Sequence, residues 1–241
     1  MGEPAIWILL FVASWLAATV SGAAGFGGAL LLLPILANTI GTTSAVPVLT
    51  IAQLLGNLSR MGFGWPEIRW RPVGLFVLGA IPASIGGARV FVGLPAGAAS
   101  TAIGVLLLAV VLARRCGMMQ APGLWFIAAG ALVGFLSALA GSAGPLGAAF
   151  FLNLSLSPVA YVASEAATAV AMHTTKTIVY HRYLDLGSRE VLQGVFLGVA
   201  MILGSWTGKR IIKHIPREQF TVFVEVLLLV SAVQLIVTAW W

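Results

Sequence analysis

Apolar segments alternate with short polar breaks along the whole chain, in an order that occurs twice. Six apolar stretches are long enough, or nearly so, to cross a hydrocarbon core of about 30 Å as helices. They are residues 45–63, 73–87, 96–113, 162–180, 191–208 and 220–240. Each group of three is preceded by an apolar arm, a run of Gly, Ala and Ser, and a shorter second arm. The pattern predicts two halves, each with three spanning helices behind a broken hairpin.

The second arms, residues 29–40 and 148–156, are too short to cross a membrane. Nine helical residues rise about 14 Å, which is close to half the hydrocarbon core. The first arms, residues 6–20 and 124–139, lead into the breaks. We therefore expect each pair of arms to form a hairpin that dips to the middle of the membrane.

The residues of the two breaks match each other. Ser21-Gly22-Ala23-Ala24-Gly25-Phe26-Gly27-Gly28-Ala29 aligns with Ala140-Gly141-Ser142-Ala143-Gly144-Pro145-Leu146-Gly147-Ala148, and five of the nine positions are identical. Further matches follow in the same order, with Ser84, Gly87, Arg89 and Pro95 corresponding to Ser205, Gly208, Arg210 and Pro216. Ordered matches within similar hydrophobic profiles indicate an internal duplication. Duplicated, glycine-broken apolar segments are typical of secondary transporters.

Composition excludes most soluble classes of protein. Hydrophobic residues make up 60% of the chain and charged residues 8%, and the mean hydropathy is +1.03. These values are those of an integral membrane protein. We divide the chain into a first repeat (1–117), a cytoplasmic linker (118–122) and a second repeat (123–241), all within one membrane domain. The single cysteine and the lack of ligand-like spacings predict no metal, no cofactor and no enzymatic activity.

The 13 Lys and Arg residues exceed the 7 Asp and Glu residues, but they are scattered at segment ends, which favours membrane orientation over nucleic-acid binding. A hairpin adds an even number of crossings, so each half crosses an odd number of times and the repeats are inverted. One side then carries most of the cations: Arg69, Arg71, Arg114, Arg115, Lys209, Arg210, Lys213 and Arg217, with Arg60 nearby. Only Arg89, Arg182 and Arg189 lie opposite. The positive-inside rule therefore predicts periplasmic termini in a multi-pass protein of the bacterial inner membrane.

Each break runs through glycines into the start of a short helix, and we expect the two helix N-termini to meet. A helix N-terminus carries unpaired N–H groups and about half a positive charge, which favours an anion. The glycines could instead serve close helix packing alone. The predicted substrate-binding residues in the breaks are Gly25, Phe26, Gly27, Gly28, Gly144, Pro145 and Gly147.

Lys176 is the lysine inside a predicted spanning segment, and Asn57 occupies the equivalent position of the first half. Gln53 and His173 lie one turn before them. Paired polar groups at one depth favour a shared cavity, to which we assign all four residues. Alternatively Lys176 extends to the outer interface, and His173 is either a proton carrier or, as we favour, a neutral imidazole bound to a carbonyl.

Two carboxylates need separate interpretations. Glu165 precedes Lys176 by about 16 Å of helical rise and lies near the cytoplasmic end of its helix, where we expect it to be solvated. Glu225 lies deeper, and it either pairs with a basic residue or senses protons.

The chain resembles the TauE/SafE family of sulfite and organosulfonate exporters. The resemblance extends through 22–34 and 141–153, then through 86–95 and 207–216, and so covers nearly the whole chain. The family usually shows a glycine triplet in each half, whereas this chain has Gly144-Pro145-Leu146-Gly147 in the second. Membership implies export of small sulfur oxyanions or sulfonates.

We therefore expect an all-α polytopic membrane protein with two inverted repeats, each a glycine-broken hairpin followed by three transmembrane helices. The expected function is export of sulfite or an organosulfonate by alternating access. The expected partners are this small anion and membrane lipid, and no nucleic acid. A proton- or cation-coupled importer of an organic anion and a membrane scaffold without transport activity are the alternatives.

Overall fold

The described part of the chain is entirely helical. A computed structural model describes residues 3–90, 96–118, 123–139, 143–183 and 187–237. Its α-helices are α1 (Glu3–Ala24), α2 (Gly28–Ile40), α3 (Thr42–Phe63), α4 (Trp70–Val90), α5 (Ala96–Arg115), α6 (Trp125–Leu139), α7 (Gly144–Leu152), α8 (Pro158–Tyr183), α9 (Ser188–Ile212) and α10 (Arg217–Val237). A short 3-10 turn, Trp65–Glu67, joins α3 to α4. The all-α prediction is confirmed for these residues.

The six predicted spanning stretches lie in helices of 20 to 26 residues, namely α3, α4, α5, α8, α9 and α10, except that positions 238–240 of the last stretch lie outside the described residues. Twenty helical residues extend about 30 Å, the thickness of the hydrocarbon core. By length and composition together, three helices of the described residues could cross a membrane: Pro4–Ala24, Ser188–Ile212 and Arg217–Val237. The first arm is longer than predicted, because α1 continues through Ser21 to Ala24 before the chain breaks.

Both broken segments form hairpins. Ile6 and Trp7 of α1 line the same surface cavity as Thr39 and Ile40 of α2, so the first helix begins where the second ends. In the second half, the rings of Trp125 and Phe150 lie 5.9 Å apart, which places the start of α6 beside the end of α7. Helices α2 and α7 have 13 and 9 residues. They extend about 20 and 14 Å, less than the core thickness.

The first arm of each half packs on a helix of the other half through small residues. A Cβ on Gly208 of α9 would lie 2.7 Å from Gly22 of α1, and one on Gly134 of α6 would lie 2.4 Å from the carbonyl of Ala80 in α4. Any side chain at these positions would force the helix backbones apart. The packing interpretation is therefore correct for Gly22, although that residue belongs to the break motif.

Large apolar side chains point outward from several helices. Ile8, Leu78, Leu192 and Val233 are each at least 60% exposed in the isolated chain. Inside, the aromatic rings of Phe76, Phe126 and Phe151 contact one another and fix α7 against α4 and α6. An exposed apolar exterior of this kind is stable only against lipid.

Glu225 of α10 pairs with two arginines of α5. Its carboxylate lies 2.5 Å from a guanidinium nitrogen of Arg114 and 3.2 Å from one of Arg115. Of the two alternatives for this residue, pairing with a basic residue is confirmed. Glu225 therefore joins the last helices of the two halves.

Several sequence predictions concern residues outside the described ranges. These are Pro95, the stretch 140–142 of the second break and positions 119–122 of the predicted linker. The division into two repeats and a linker stays a prediction.

Candidate functional site

A cavity lies where the two glycine-rich breaks meet α3, α6 and α8. The space open to the centre of a water-sized sphere is about 30 Å³, enough for one or two water molecules. Its lining residues are Gly25, Phe26, Gly27, Gly28, Ala29, Gln53, Asn57, Arg60, Ser137, Gly144, Glu165, Ala169, Met172 and His173. Eight of the eleven residues predicted to bind substrate are therefore together in one place: Gly25, Phe26, Gly27, Gly28, Gln53, Asn57, Gly144 and His173.

The first break turns through backbone conformations that favour glycine. Gly25 has φ +86° and Gly27 has φ +101°, both in the left-handed region. Helix α2 starts at Gly28, directly after Gly27, and no side chain caps it. Gly27, Gly28 and Ala29 line the cavity, so the first N–H groups of α2 lie beside it without a side-chain acceptor at the cap.

The second break brings another helix start to the same cavity. Helix α7 begins at Gly144, which lines the cavity, and it also lacks a side-chain cap. Pro145 follows at a position where a helix N–H has no partner within the helix, so its missing N–H costs the helix nothing. The two helix N-termini that the sequence predicts to meet are therefore neighbours, and their partial positive charges add at the cavity.

Arg60 of α3 holds the first break in place. One terminal nitrogen of its guanidinium donates to the carbonyls of Ser21 and Gly25, at 2.8 and 2.9 Å, and the other donates to Oδ1 of Asn57. The side chain is buried. A guanidinium that binds the carbonyls at the end of α1 stabilises the helix C-terminus and leaves its charge at the cavity. The sequence places Arg60 on the same helix as Gln53 and Asn57, near the basic side, but does not predict that it binds the first break.

Asn57 is less free to bind substrate than the sequence predicts. Its Oδ1 accepts from Arg60, and its Nδ2 donates to the carbonyl of Gln53 at 2.7 Å. The amide is thus mainly a support for the guanidinium.

Lys176 does not reach the outer interface. Its side chain is 1% exposed, and Nζ donates to Oγ of Ser137 at 3.2 Å. The alternative in which this lysine extends to the lipid surface is therefore wrong. Lys176 does not line the cavity itself, but Ser137 does, so the ammonium stands behind one hydroxyl group of the wall.

Glu165 is buried, contrary to the expectation of a solvated carboxylate. It is 3% exposed and lines the cavity. The connection between α3 and α4 covers this part of α8: the backbone N–H of Arg69 donates to Oγ of Ser164 at 2.9 Å, and Gly64 lies against Ala163. Position along the helix alone could not show this cover.

Buried polar atoms without a hydrogen-bond partner concentrate at the cavity. Among the described residues there are five such side-chain atoms, and four belong to cavity residues: Gln53 Nε2, Arg60 Nε, Glu165 Oε2 and His173 Nδ1. Native proteins satisfy most buried polar groups. Their grouping indicates a site that is completed by a ligand or by water. The carbonyl partner that we favoured for His173 is absent at Nδ1 in the described structure.

Two predicted residues face elsewhere. A Cβ on Gly147 would lie 3.6 Å from Val133 and 3.8 Å from Phe76, so this glycine serves packing between α7, α6 and α4. Pro145 is buried in α7 and does not line the cavity. Both lie beyond the first residue of α7, where the helix has already turned into the aromatic cluster.

Comparison with known families gives one result. The family model described as "Sulfite exporter TauE/SafE" matches residues 10–235. No curated protein and no solved structure is significantly similar to the chain.

Proposed function

The chain belongs to the TauE/SafE sulfite exporter family, and from this membership we propose that it exports sulfite or an organosulfonate by alternating access around the cavity described above. The family implies a membrane transporter of sulfur anions. The direction, the mechanism and the residues are our proposal.

The observation that carries the proposal is the convergence of two uncapped helix starts, Gly28 and Gly144, on one cavity beside the buried Arg60. Helix N-termini and a guanidinium favour an anion with several acceptor oxygens. Lys176 adds a second positive charge behind Ser137. Gln53 and His173 offer hydrogen bonds from side chains with unpartnered nitrogens. Asn57 positions Arg60.

Inverted repeats are part of the proposal, and helix directions support them. Helices α1 and α9 run the same way, since Trp7 contacts Phe196 near their starts and Gly22 meets Gly208 near their ends. The end of α9 reaches the end of α3, where Lys209 donates to the carbonyl of Phe63. The first hairpin thus opens at the end of the bundle opposite to these contacts.

The second hairpin opens at the other end. Helix α8 starts beside the end of α3, where Ser157 donates to Glu67 at 3.0 Å. The start of α6 lies beside the start of α4, with Phe126 and Phe76 rings 5.8 Å apart. Alternating access around a site between inverted repeats is a common design of secondary transporters.

An interior-negative potential favours export without a coupling ion. Moving one negative charge out of the cell lowers the free energy by about 2.3 kcal/mol per 100 mV of membrane potential. For a divalent anion the free-energy decrease is twice as large. We propose a bacterial inner-membrane location with both termini periplasmic, as the distribution of cations predicts.

A coupled importer of an organic anion is a second candidate, because the structure supplies the buried carboxylate that such a carrier needs. Glu225 pairs with Arg114 and Arg115, but Glu165 faces the cavity.

Flux from proteoliposomes tests the proposed function. We expect the protein to move sulfite and methanesulfonate faster than acetate or chloride. Arg60→Gln should lower this flux at least tenfold, since it removes the positive charge and releases the first break, while Lys213→Gln removes an exposed charge and serves as the matched control. Equal rates for all four anions would refute the proposal, faster movement of acetate would favour the importer, and no flux at all would favour the scaffold.

A further inference from the structure

Glu165 is a buried carboxylate in a cavity that is otherwise suited to anions. It faces the same small space as the helix starts at Gly28 and Gly144. Its Oε2 has no hydrogen-bond partner within the described structure. A buried carboxylate is costly unless it is paired, hydrogen-bonded or protonated.

The nearest cation on the cavity wall does not pair with it. Arg60 directs its terminal nitrogens to Ser21, Gly25 and Asn57. Among the described residues, ion pairs within 4 Å are formed only by Glu225. Glu165 therefore lies near a positive charge without a direct bond to it, and the intervening space is where a ligand would enter.

The ionisable and charged groups of the helices packed beside Glu165 are on α3, α9 and α8, and not all of them reach the cavity that it lines. Helix α3 contributes Arg60. Helix α9 contributes Lys209, which lines a second small cavity together with Val162 and Ala163 of α8. The remainder stand on α8 itself: Tyr161, His173 and Lys176. The parts of α2, α6 and α7 that line the cavity carry no ionisable side chain. Arg60 and His173 are the other ionisable groups in the cavity wall.

An ionised carboxylate can only accept hydrogen bonds, and it repels an anion in the same cavity. A protonated carboxyl can donate a hydrogen bond to that anion. We propose that Glu165 takes up a proton from the adjacent aqueous side when the anion binds, and that this proton crosses the membrane with the anion. Resting on the proposed function, this inference adds a coupling ion and its binding site.

The proton fits this site better than a metal cation. Sodium or calcium needs several oxygen ligands, whereas Glu165 is the single carboxylate in the cavity wall and Arg60 would repel a cation. The described residues contain no group of three potential metal ligands.

Thermodynamic linkage between anion binding and protonation of Glu165 determines how anion affinity changes with pH. If the bound anion favours protonation of Glu165, then protonation favours anion binding by the same factor. Anion affinity therefore rises as the pH falls. A divalent anion that leaves with one proton still carries one net negative charge outward, so the membrane potential favours export while an inward proton gradient opposes it.

Proton release and uptake can be measured with methanesulfonate, which stays ionised across the neutral pH range. In weakly buffered detergent solution, methanesulfonate should make the wild-type protein take up about one proton per bound anion. In proteoliposomes with an internal pH dye, a methanesulfonate gradient should move protons in the direction of the anion. Replacing sodium with choline should change neither result.

Substitutions of Glu165 and His173 test which side chain carries the transported proton. Glu165→Gln should abolish proton movement per anion moved and should make anion affinity independent of pH. His173→Gln should retain the proton-to-anion ratio, and Glu218→Gln makes the same chemical change at an exposed position.

The results distinguish a failure of proton coupling at Glu165 from a failure of the proposed transport function. Wild-type anion flux without proton movement overturns this inference and leaves the proposed function intact. Coupling that survives in Glu165→Gln, or is lost in His173→Gln, also overturns it. If wild-type protein moves no anion, the proposed function fails. Should Glu165→Gln not insert, the absence of wild-type proton uptake, or the loss of coupling in His173→Gln, would still overturn the inference.

Discussion

Arg60 and Lys176 show how single residues support the two breaks. Each is a buried cation on the third helix of its half, and each reaches back toward the hairpin of that half: Arg60 to Ser21 and Gly25, and Lys176 to Ser137. The sequence alignment matches Lys176 with Asn57, which accepts a hydrogen bond from Arg60 and does not replace it. The halves thus keep a positive charge behind each break with different residues one turn apart.

Replacing Lys176 tests whether its charge matters for transport. We expect Lys176→Met to lower sulfite efflux at least tenfold, because it removes one of two buried positive charges near the cavity. Lys176→Arg should retain more activity, since it keeps the charge and changes its geometry. Efflux is measured at equal reconstituted protein.

Thr174→Ala, an exposed position on the same helix, is the control for α8. Wild-type efflux and affinity in Lys176→Met would show that backbone groups and Arg60 suffice for the anion.

The hairpin is the element that brings a helix start to the cavity. Gly22 of α1 packs against α9. After α1 ends, the chain turns through Gly25 and Gly27, and α2 then begins at the cavity. The break motif therefore combines the two interpretations that the sequence left open: part of it packs helices, and part of it borders the cavity.

Gly27 and Gly41 form a matched pair for separating backbone strain from function. Both have positive φ and open space where a Cβ would stand. Gly27 is in the left-handed region, where alanine costs about 1–2 kcal/mol, and Gly41, with φ +82° and ψ +153°, is in a region nearly restricted to glycine, where the cost is about 1–3 kcal/mol. Only Gly27 lines the cavity. We expect a loss of thermal stability in both variants, at least as large in Gly41→Ala as in Gly27→Ala, but a large loss of sulfite flux in Gly27→Ala alone.

Equal flux in these two variants would indicate that the first break is structural. Gly25→Val is a stronger change, since a Cβ at Gly25 would lie 2.8 Å from the ring of Tyr161, and Gly144→Val is its counterpart in the second break. Size-exclusion chromatography in detergent shows whether each variant still folds.

At the scale of the whole molecule, the arms of each half pack on the other half, so neither half is expected to be stable alone. Helix α1 lies on α9 and α6 lies on α4, in both cases through glycines that admit no side chain. The cavity forms where the two halves meet. A relative movement of the halves would therefore change access to the cavity.

Labelling of the single cysteine tests the proposed orientation. Cys116 is exposed, just after α5. If this end is cytoplasmic, an impermeant maleimide should label Cys116 in inside-out vesicles and not in intact cells with a permeable outer membrane. Labelling in intact cells would contradict periplasmic termini.

Cys116→Ser combined with Ser188→Cys is the reciprocal control, because Ser188 is exposed at the start of α9, at the opposite end. The expected pattern is then reversed. A reporter fused after Trp241 gives an independent result for the C-terminus.

The helical class, the long helices and the short first-half arm could be predicted from the sequence alone, whereas the second short arm, predicted at 148–156, is α7 at Gly144–Leu152 and begins four residues earlier, within its break. These features depend on properties local to a segment: the transfer free energy of an apolar stretch, its length relative to the hydrocarbon core, and the conformational freedom of glycine. The aligned motifs also identified the family resemblance, which the family match confirms. Eight residues of the cavity wall could be chosen in this way.

Only the tertiary structure decided which helices touch and therefore which polar groups share a space. Arg60 reaches residues 35 and 39 positions earlier in the chain, and Glu165 is buried because it faces a cavity that residues from both breaks, α3 and α6 also line. Gly147 belongs to a break motif yet faces the aromatic cluster. Spacing along one helix gives the face and depth of a side chain, but its partners and solvent access depend on neighbours that are distant in sequence.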